Sequence, residues 1–234
     1  MSSSLFDSAF RTIPFYNTHD YMLPFVGNNY ESPKHKKLLL VGESHYMPKG
    51  STIHHNVDLW YNGIPELSCE EKRYCDTRGS RYYKSGSFGR NIDSAVREAF
   101  SNVGENAFNE MASYNYFLRP SDGGSFEELC KEKDCEESVK IFHKILEILE
   151  PELIVFTSKF AFEHAEWIDF PKYFGCGLWE YTTEHNMGYI FTEHPSCPWW
   201  NKVVKIKTGS SEDYFHGFTS KQFFIKYLKE NWLI

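Results

Sequence analysis

Apolar residues fall into two kinds of segment along this chain: short unbroken runs, and longer stretches with helical spacing. Leu38 to Val41 (LLLV) is an unbroken run, preceded by Lys34 to Lys37 (KHKK) and stopped by Gly42-Glu43-Ser44-His45-Tyr46. Met111 to Leu118 (MASYNYFL) predicts a second strand, ending at Arg119-Pro120. Leu153 to Phe156 (LIVF) predicts a third, and Gly188 to Thr192 a fourth, followed by His194-Pro195-Ser196. Runs this short and this apolar are the signature of strands covered on both faces. Between them, Asn91 to Phe100 carries apolar residues at 92, 95, 96 and 99, and Ser138 to Leu149 at 139, 141, 142, 145, 146, 148 and 149. Both spacings predict amphipathic helices. Pro151 ends the second of them. Ser158 to Trp167 and Thr219 to Asn231 predict two more.

Strands alternating with helices imply a parallel sheet with helices on both faces, a three-layer α/β/α sandwich around four parallel strands. The carboxyl ends of such strands deliver side chains to one edge, where open α/β sheets bind ligands. Glu43, Ser44, His45 and Tyr46 are expected there, joined from far downstream by His194 and Ser196. One domain spanning residues 1–234 accommodates the pattern, with its core motifs within about 36–205. Residues 47–87, rich in Gly, Tyr, His and Arg, show little periodicity and read as a functional segment or an insertion. The acidic stretch from Glu127 to Glu137 reads as a solvated face.

Composition narrows the chemistry. Aromatic residues make up 18% of the chain, and an excess of Tyr and Trp suits surfaces that stack on bases, sugars or proteins. The formal net charge of −7 supplies no global field for nucleic acid, so any such binding needs a local basic patch. Lys202, Lys205 and Lys207 form one, with no acid between them, next to Trp199 and Trp200. Lysines there suit phosphates, and a Trp suits a wedge into the base stack; an ordinary amphipathic surface strand accounts for them equally well. The start of the chain lacks the basic and apolar pattern of a secretory signal, and no apolar run is long enough to span a membrane, so a cytoplasmic protein is expected. Cys69 and Cys75 lie six apart and Cys130 and Cys135 five apart, unlike the tighter pairs of zinc and iron–sulfur sites. Reduced thiols are expected, with no metal and no cofactor. A metal-dependent hydrolase using His45, His54, His55 and His194 has no support from spacing.

The order of motifs resembles the uracil-DNA glycosylase superfamily. After its first strand that family reads roughly G-Q-D-P-Y or G-E-A-P-G; here the residues are Gly42-Glu43-Ser44-His45-Tyr46. The helix entry of P-S-L-x-N-I type corresponds to Gly86 to Ile92 (GSFGRNI), and the base-reading Asn at the second strand's end to Asn115 in Tyr114-Asn115-Tyr116. The small-residue passage from third strand to helix matches LIVFTSKFAFEHA, and the closing H-P-S with its wedge matches His194-Pro195-Ser196 and the CPWW after it. The resemblance implies a substrate of uracil or another damaged base, in single-stranded or mismatched DNA, and hydrolysis of its N-glycosidic bond. Asn115 would read the base, since an amide that donates and accepts matches the imide edge of uracil. Phe88 would stack on the base, with Tyr82 and Tyr83 as rivals; Tyr46 would wall off a thymine methyl; Gly42 and Ser196 would line the pocket. His194 would hydrogen-bond the departing base as negative charge develops, and Glu43 or a backbone carbonyl would position water. Two departures weigh on activity. Ser44 stands where the efficient branch has an Asp, and His45 where it has a Pro. The branch with Glu at the position of Glu43 generally carries an iron–sulfur cluster, which these cysteine spacings do not match. The alternative is a non-catalytic module of the same fold that binds a base, a nucleotide or nucleic acid.

Overall fold

The structure is a computed structural model that describes residues 2–165, 189–208 and 211–234, with segments 189–191, 204–208 and 211–218 described by their backbone alone. Its centre is a sheet of five strands in the order β1-β3-β2-β4-β5. These are β1 (Phe25–Val26), β2 (Leu38–Gly42), β3 (Ala112–Asn115), β4 (Leu153–Phe156) and β5 (Tyr189–Phe191). The last four are mutually parallel, as the apolar runs predict, but β1 pairs antiparallel with β3 and adds an edge strand to the expected four. The second strand also stops at Asn115 rather than continuing to Leu118. Tyr116 and Phe117 instead donate their N–H groups to the carbonyls of Gly42 and Glu43. A separate antiparallel hairpin, β6 (Val203–Thr208) with β7 (Ser211–Thr219), follows. No described helix is long and apolar enough to cross a membrane.

Every residue of β2 is buried, as its unbroken apolar run requires of a central strand. Period-two alternation splits β3 between the two faces. Tyr114 turns to one face, where its ring meets Phe142 at 6.0 Å between centroids, and Phe156 of β4 meets the same Phe142 at 5.7 Å. Ser113 and Asn115 turn to the other face, toward Arg81.

The helices are α1 (Asp7–Phe10), α2 (Phe15–Thr18), α3 (Val57–Asn62), α4 (Cys69–Tyr74), α5 (Thr77–Tyr82), α6 (Gly86–Ala99), α7 (Glu132–Leu149), α8 (Lys159–Ala165) and α9 (Ser220–Asn231). Phe142 belongs to α7 and Arg81 to α5, so the two faces of β3 meet different helices. Residues 47–87, expected as an aperiodic functional segment or insertion, hold α3, α4 and α5. Each is a short helix started by a side-chain cap: Asn56 on Leu59 N–H, Ser68 on Glu71 N–H, and Asp76 on Gly79 N–H. Six residues are too few to display a helical period, which is why the caps and not the pattern define them. GSFGRNI lies inside α6, which begins earlier than its apolar spacing suggests.

α7 begins at Glu132, ahead of the expected Ser138, so the acidic stretch Glu127 to Glu137 runs into the helix, and it is not a solvated face throughout. Asp134 is fully buried, and Arg119 beside it is 1% exposed. The Asp134 carboxylate accepts from Arg119 Nε at 2.8 Å and Nη2 at 2.6 Å, from the Tyr61 hydroxyl at 2.9 Å and from Lys131 N–H at 2.8 Å. Arg119 also donates to the carbonyls of His54 and Leu129. Removing one member of such a pair strands the other charge in the core. Asp134→Asn is therefore expected to lower the free energy of unfolding by about 3–5 kcal/mol in denaturant titrations. A loss below about 1 kcal/mol would mean the pair contributes no more than an exposed one.

Candidate functional site

The chain leaves β2 in one direction to reach β3 and later crosses back to place β4 on β2's other side. In open α/β sheets a reversal of this kind leaves a crevice at the carboxyl end of the central strand, here β2, and ligands bind there. Glu43 occupies it, half-buried. Its Oε1 accepts from Phe126 N–H at 2.7 Å and from the Ser125 hydroxyl at 3.2 Å, and its Oε2 accepts from the Ser158 hydroxyl. Ser158 follows β4, so this contact spans the crevice. Three of the carboxylate's four lone-pair directions are used, and one remains for a water or a ligand.

Gly42 and Asn115 are register partners across β2 and β3. A Cβ on Gly42 would lie 2.1 Å from Asn115 Oδ1, so only glycine admits this amide against the strand. Asn115 is 6% exposed, and its Oδ1 accepts from Arg81 Nη2 at 3.3 Å. Because a guanidinium only donates, the amide's orientation is fixed: oxygen toward Arg81, nitrogen away from it. Arg81 also donates through Nε to Ser113 Oγ at 3.0 Å, and its guanidinium lies 4.3 Å from the centroid of the Phe88 ring. Burial lowers its pKa to about 10, which still leaves it charged at neutral pH. Among the described residues no carboxylate pairs with it.

His194 reaches the same group from the loop after β5. Its ring stands 5.3 Å from that of Phe88. Burial holds its pKa down, at about 4; Glu43 acts against this and Arg81 acts with it. The imidazole is therefore neutral near pH 7. Its Nδ1 accepts from Ser196 N–H at 3.2 Å, which leaves the proton on Nε2. The His194-Pro195-Ser196 loop is tied to α6 by Asn91, whose amide donates to Pro195 O at 2.7 Å.

Gly42, Glu43, Phe88, Asn115 and His194 thus come together. Ser44 lies beside Glu43, half-buried, and Ser196 acts through its backbone while its side chain is exposed. Tyr46 is 42% exposed, and its strand-like bridge to Ser121 holds it at the crevice mouth. Burial, Glu43 and Cys197 together raise its pKa. Phe88 is less free as a platform than expected, because Arg81 covers one side of its ring. Tyr82 and Tyr83 pack on each other at the surface. His45 points away from the crevice into the core, bonded through Nε2 to Thr77 Oγ1 at 2.9 Å. His54 and His55 share Asp122 instead, so the four histidines do not form one group.

The basic and aromatic segment divides. Trp200 was expected as a candidate wedge, but it is 1% exposed and packs on Phe224 of α9. Trp199 is 55% exposed, with Lys202 Nζ 5.1 Å from its ring centroid. Lys205 and Lys207 fall in β6, where their side chains lie outside the described residues. Arg81, Asn91 and Ser158 are site residues that the sequence did not single out. Asn91 stood inside GSFGRNI, but Arg81 lay in a stretch without any period.

A cavity of about 590 Å³ lies apart from this site, lined by His35, Phe100, Glu110 and Trp232 among others. Its polar groups pair with each other: His35 Nε2 meets Glu110 Oε2 at 3.2 Å and Asn29 donates to Glu110 Oε1 at 2.7 Å. Arg81, by contrast, has no carboxylate partner among the described residues. No protein-family model matches this sequence, and no curated protein matches it.

Two predictions test these assignments. Burial lowers the pKa of His45 to about 3 and that of His19 to about 4, each against an unfolded value near 6.5. From about pH 6.5 downward the unfolded chain takes up protons that the folded chain refuses. Stability is then full above that pH and falls by about 1.4 kcal/mol per pH unit per histidine until the folded values are reached. Thermal midpoints should drop between pH 7 and pH 5; midpoints that stay level would mean these imidazoles are not buried neutral. Separately, Trp200→Ala should cost about 3–5 kcal/mol of stability. Trp199→Ala should leave the denaturation midpoint within experimental error, and the reverse ranking would contradict the assignment of core and surface.

Proposed function

We propose that the protein is a divergent glycosylase of the uracil-DNA glycosylase type, which takes a flipped uracil or other damaged base into the crevice and hydrolyses its N-glycosidic bond. The observation that carries this reading is the convergence of Asn115 on Gly42 with the neutral, Nε2-protonated His194, around a buried Arg81 that pairs with no carboxylate among the described residues. In the reaction, water adds to the sugar C1′ as the C1′–N bond breaks. The bonding electron pair leaves with the base, which becomes an anion until it takes a proton from solvent. His194 Nε2–H donates to a base oxygen as that charge develops, and the Arg81 cation favours the same charge through a poorly screened interior. Glu43, through its remaining lone pair, orients the water and receives its proton. Asn115 reads the base edge, and the free part of the Phe88 ring packs on its plane. Trp199 and Lys202 contact the strand, with affinity held low by the net charge of −7. DNA, a cytoplasmic setting and the family relation are all part of this proposal.

A second reading is a non-catalytic module of the same fold. It is favoured by Glu43, whose carboxylate already accepts from three donors, and by Ser44, which supplies no charge. The deciding assay uses a single-stranded oligonucleotide with one uracil, followed by alkali to cut at abasic sites. Slow release is expected, about 10²–10³-fold below the branch with Asp at the position of Ser44. Ser44→Asp should raise the rate, and His194→Ala should lower it by about 10²–10³-fold. A wild-type rate equal to the fastest branch would refute the role given to Ser44. No release from either the wild type or Ser44→Asp, together with saturable binding of uracil or a nucleotide, would establish the second reading instead.

A further inference from the structure

Away from the crevice, three metal-capable side chains meet from separate parts of the chain. Cys130 precedes α7, Cys135 lies in its first turn, and His164 lies in the last turn of α8. Their ligand atoms all fall within 4.8 Å of one another. The two Sγ atoms are 3.6 Å apart. Two thiolates held about 2.3 Å from a tetrahedral zinc ion stand about 3.8 Å from each other, which this spacing nearly reproduces. A disulfide would need the sulfurs about 2.0 Å apart, well over an ångström closer.

The histidine has the tautomer of a ligand. His164 Nδ1 donates to the Phe160 carbonyl at 2.9 Å, which places the ring's lone pair on Nε2. The rings of Phe160 and Phe117 pack against the imidazole, with centroids at 4.3 Å and 5.4 Å. All three side chains are half-buried, so a fourth position can be filled by water. The other metal-capable group, His54, His55 and Asp122, needs no ion to explain it. Asp122 already accepts from both Nε2 atoms at 2.8–2.9 Å.

We propose that Cys130, Cys135 and His164 form a binding site for a single zinc ion, which staples the start of α7 to α8. Two thiolates and an imidazole are a donor set that suits zinc over hard cations. On binding, the ion displaces the two thiol protons to solvent, and no electron is transferred. The site sits at the junction that Arg119 and Asp134 already organise, and does not depend on the proposed chemistry of the crevice.

The test uses the full chain, reduced, stripped by chelator and given back zinc. After dialysis the wild type should retain one zinc per chain and melt at a higher temperature than the stripped protein. Cobalt in place of zinc should give the absorption of thiolate-to-cobalt charge transfer. Cys130→Ser and Cys135→Ser should each abolish retention, while a His54→Ala, His55→Ala double variant should keep it. Because the serine variants could unfold, the wild type provides a second measurement. Zinc should protect Cys130 and Cys135 from alkylation, mapped by mass spectrometry, with the exposed Cys69 as the unprotected control. Failure to retain zinc, retention unchanged in the double Cys130→Ser, Cys135→Ser variant, or alkylation of both thiols unchanged by zinc would each overturn the proposal.

Discussion

The loops at the carboxyl edge of the sheet depend on one fully buried ion pair, Arg119 with Asp134. Arg119 stands just past β3 and Asp134 in the first turn of α7, so the pair fixes where the chain goes after leaving the sheet. The guanidinium also takes the carbonyls of His54 and Leu129, and the carboxylate takes the Tyr61 hydroxyl and the first orphan N–H of α7. Two charges taken out of water cost several kcal/mol each, and only complete pairing offsets that. Here nearly every donor and acceptor of the pair is used. The segment from Ser125 to Cys130 is then positioned from one side by Arg119 and from the other by Glu43, which accepts from Ser125 and Phe126. A single buried pair thereby sets the wall of the crevice and the start of the helix that carries Cys135.

Arg81 makes the instructive contrast. It is also buried, at 6% exposure, but among the described residues its guanidinium meets neutral partners: Ser113, Asn115 and Ser80 by hydrogen bonds, Phe88 by its ring face. Burial lowers its pKa without neutralising it at pH 7. A charge left in this state is normally paired or lost. Its persistence beside Asn115 and His194 biases the crevice toward negative charge, and the same field helps keep His194 neutral. One residue therefore tunes the electrostatics of the site and fixes the orientation of its amide.

The frame of this fold was legible in the sequence where patterns are long or unbroken. β2 and β4 are strands of five and four residues built on unbroken apolar runs, and α7 shows its stripe over several turns. Glycine at 42 was legible too, because it ends such a run, whereas Asn115 stood inside the longer strand expected over 111–118 and was marked only by the resemblance. Short elements were not. β1 is two residues behind Pro24, with no alternation to read, and α3 to α5 are recognisable only by their caps. Charge was misread where its partner is distant: nothing local distinguishes Asp134 from the exposed acids around it. Trp199 and Trp200 are neighbours of identical chemistry, and only the turn at Pro198–Asn201 sends one inward and the other out. Cysteine spacing missed His164 for the same reason, since the third donor arrives from another helix.

The donor and acceptor balance of the crevice limits what it can hold. Arg81 can only donate, and it draws the oxygen of Asn115 toward itself, so Nδ2–H is the amide's remaining face. His194 presents Nε2–H because Ser196 N–H occupies Nδ1. Glu43 is the lone strong acceptor among these groups, and Ser125, Phe126 and Ser158 leave it one lone pair. Such a site matches a ligand rich in acceptors that becomes more negative as it reacts. It matches poorly a ligand with several N–H donors, which would find one carboxylate and half an amide oxygen to satisfy them. A pyrimidine with two carbonyls meets the first description and an aminopyrimidine the second. In the proposed reading, the discrimination would come from donors left unpaired on binding, which costs more than a single contact supplies.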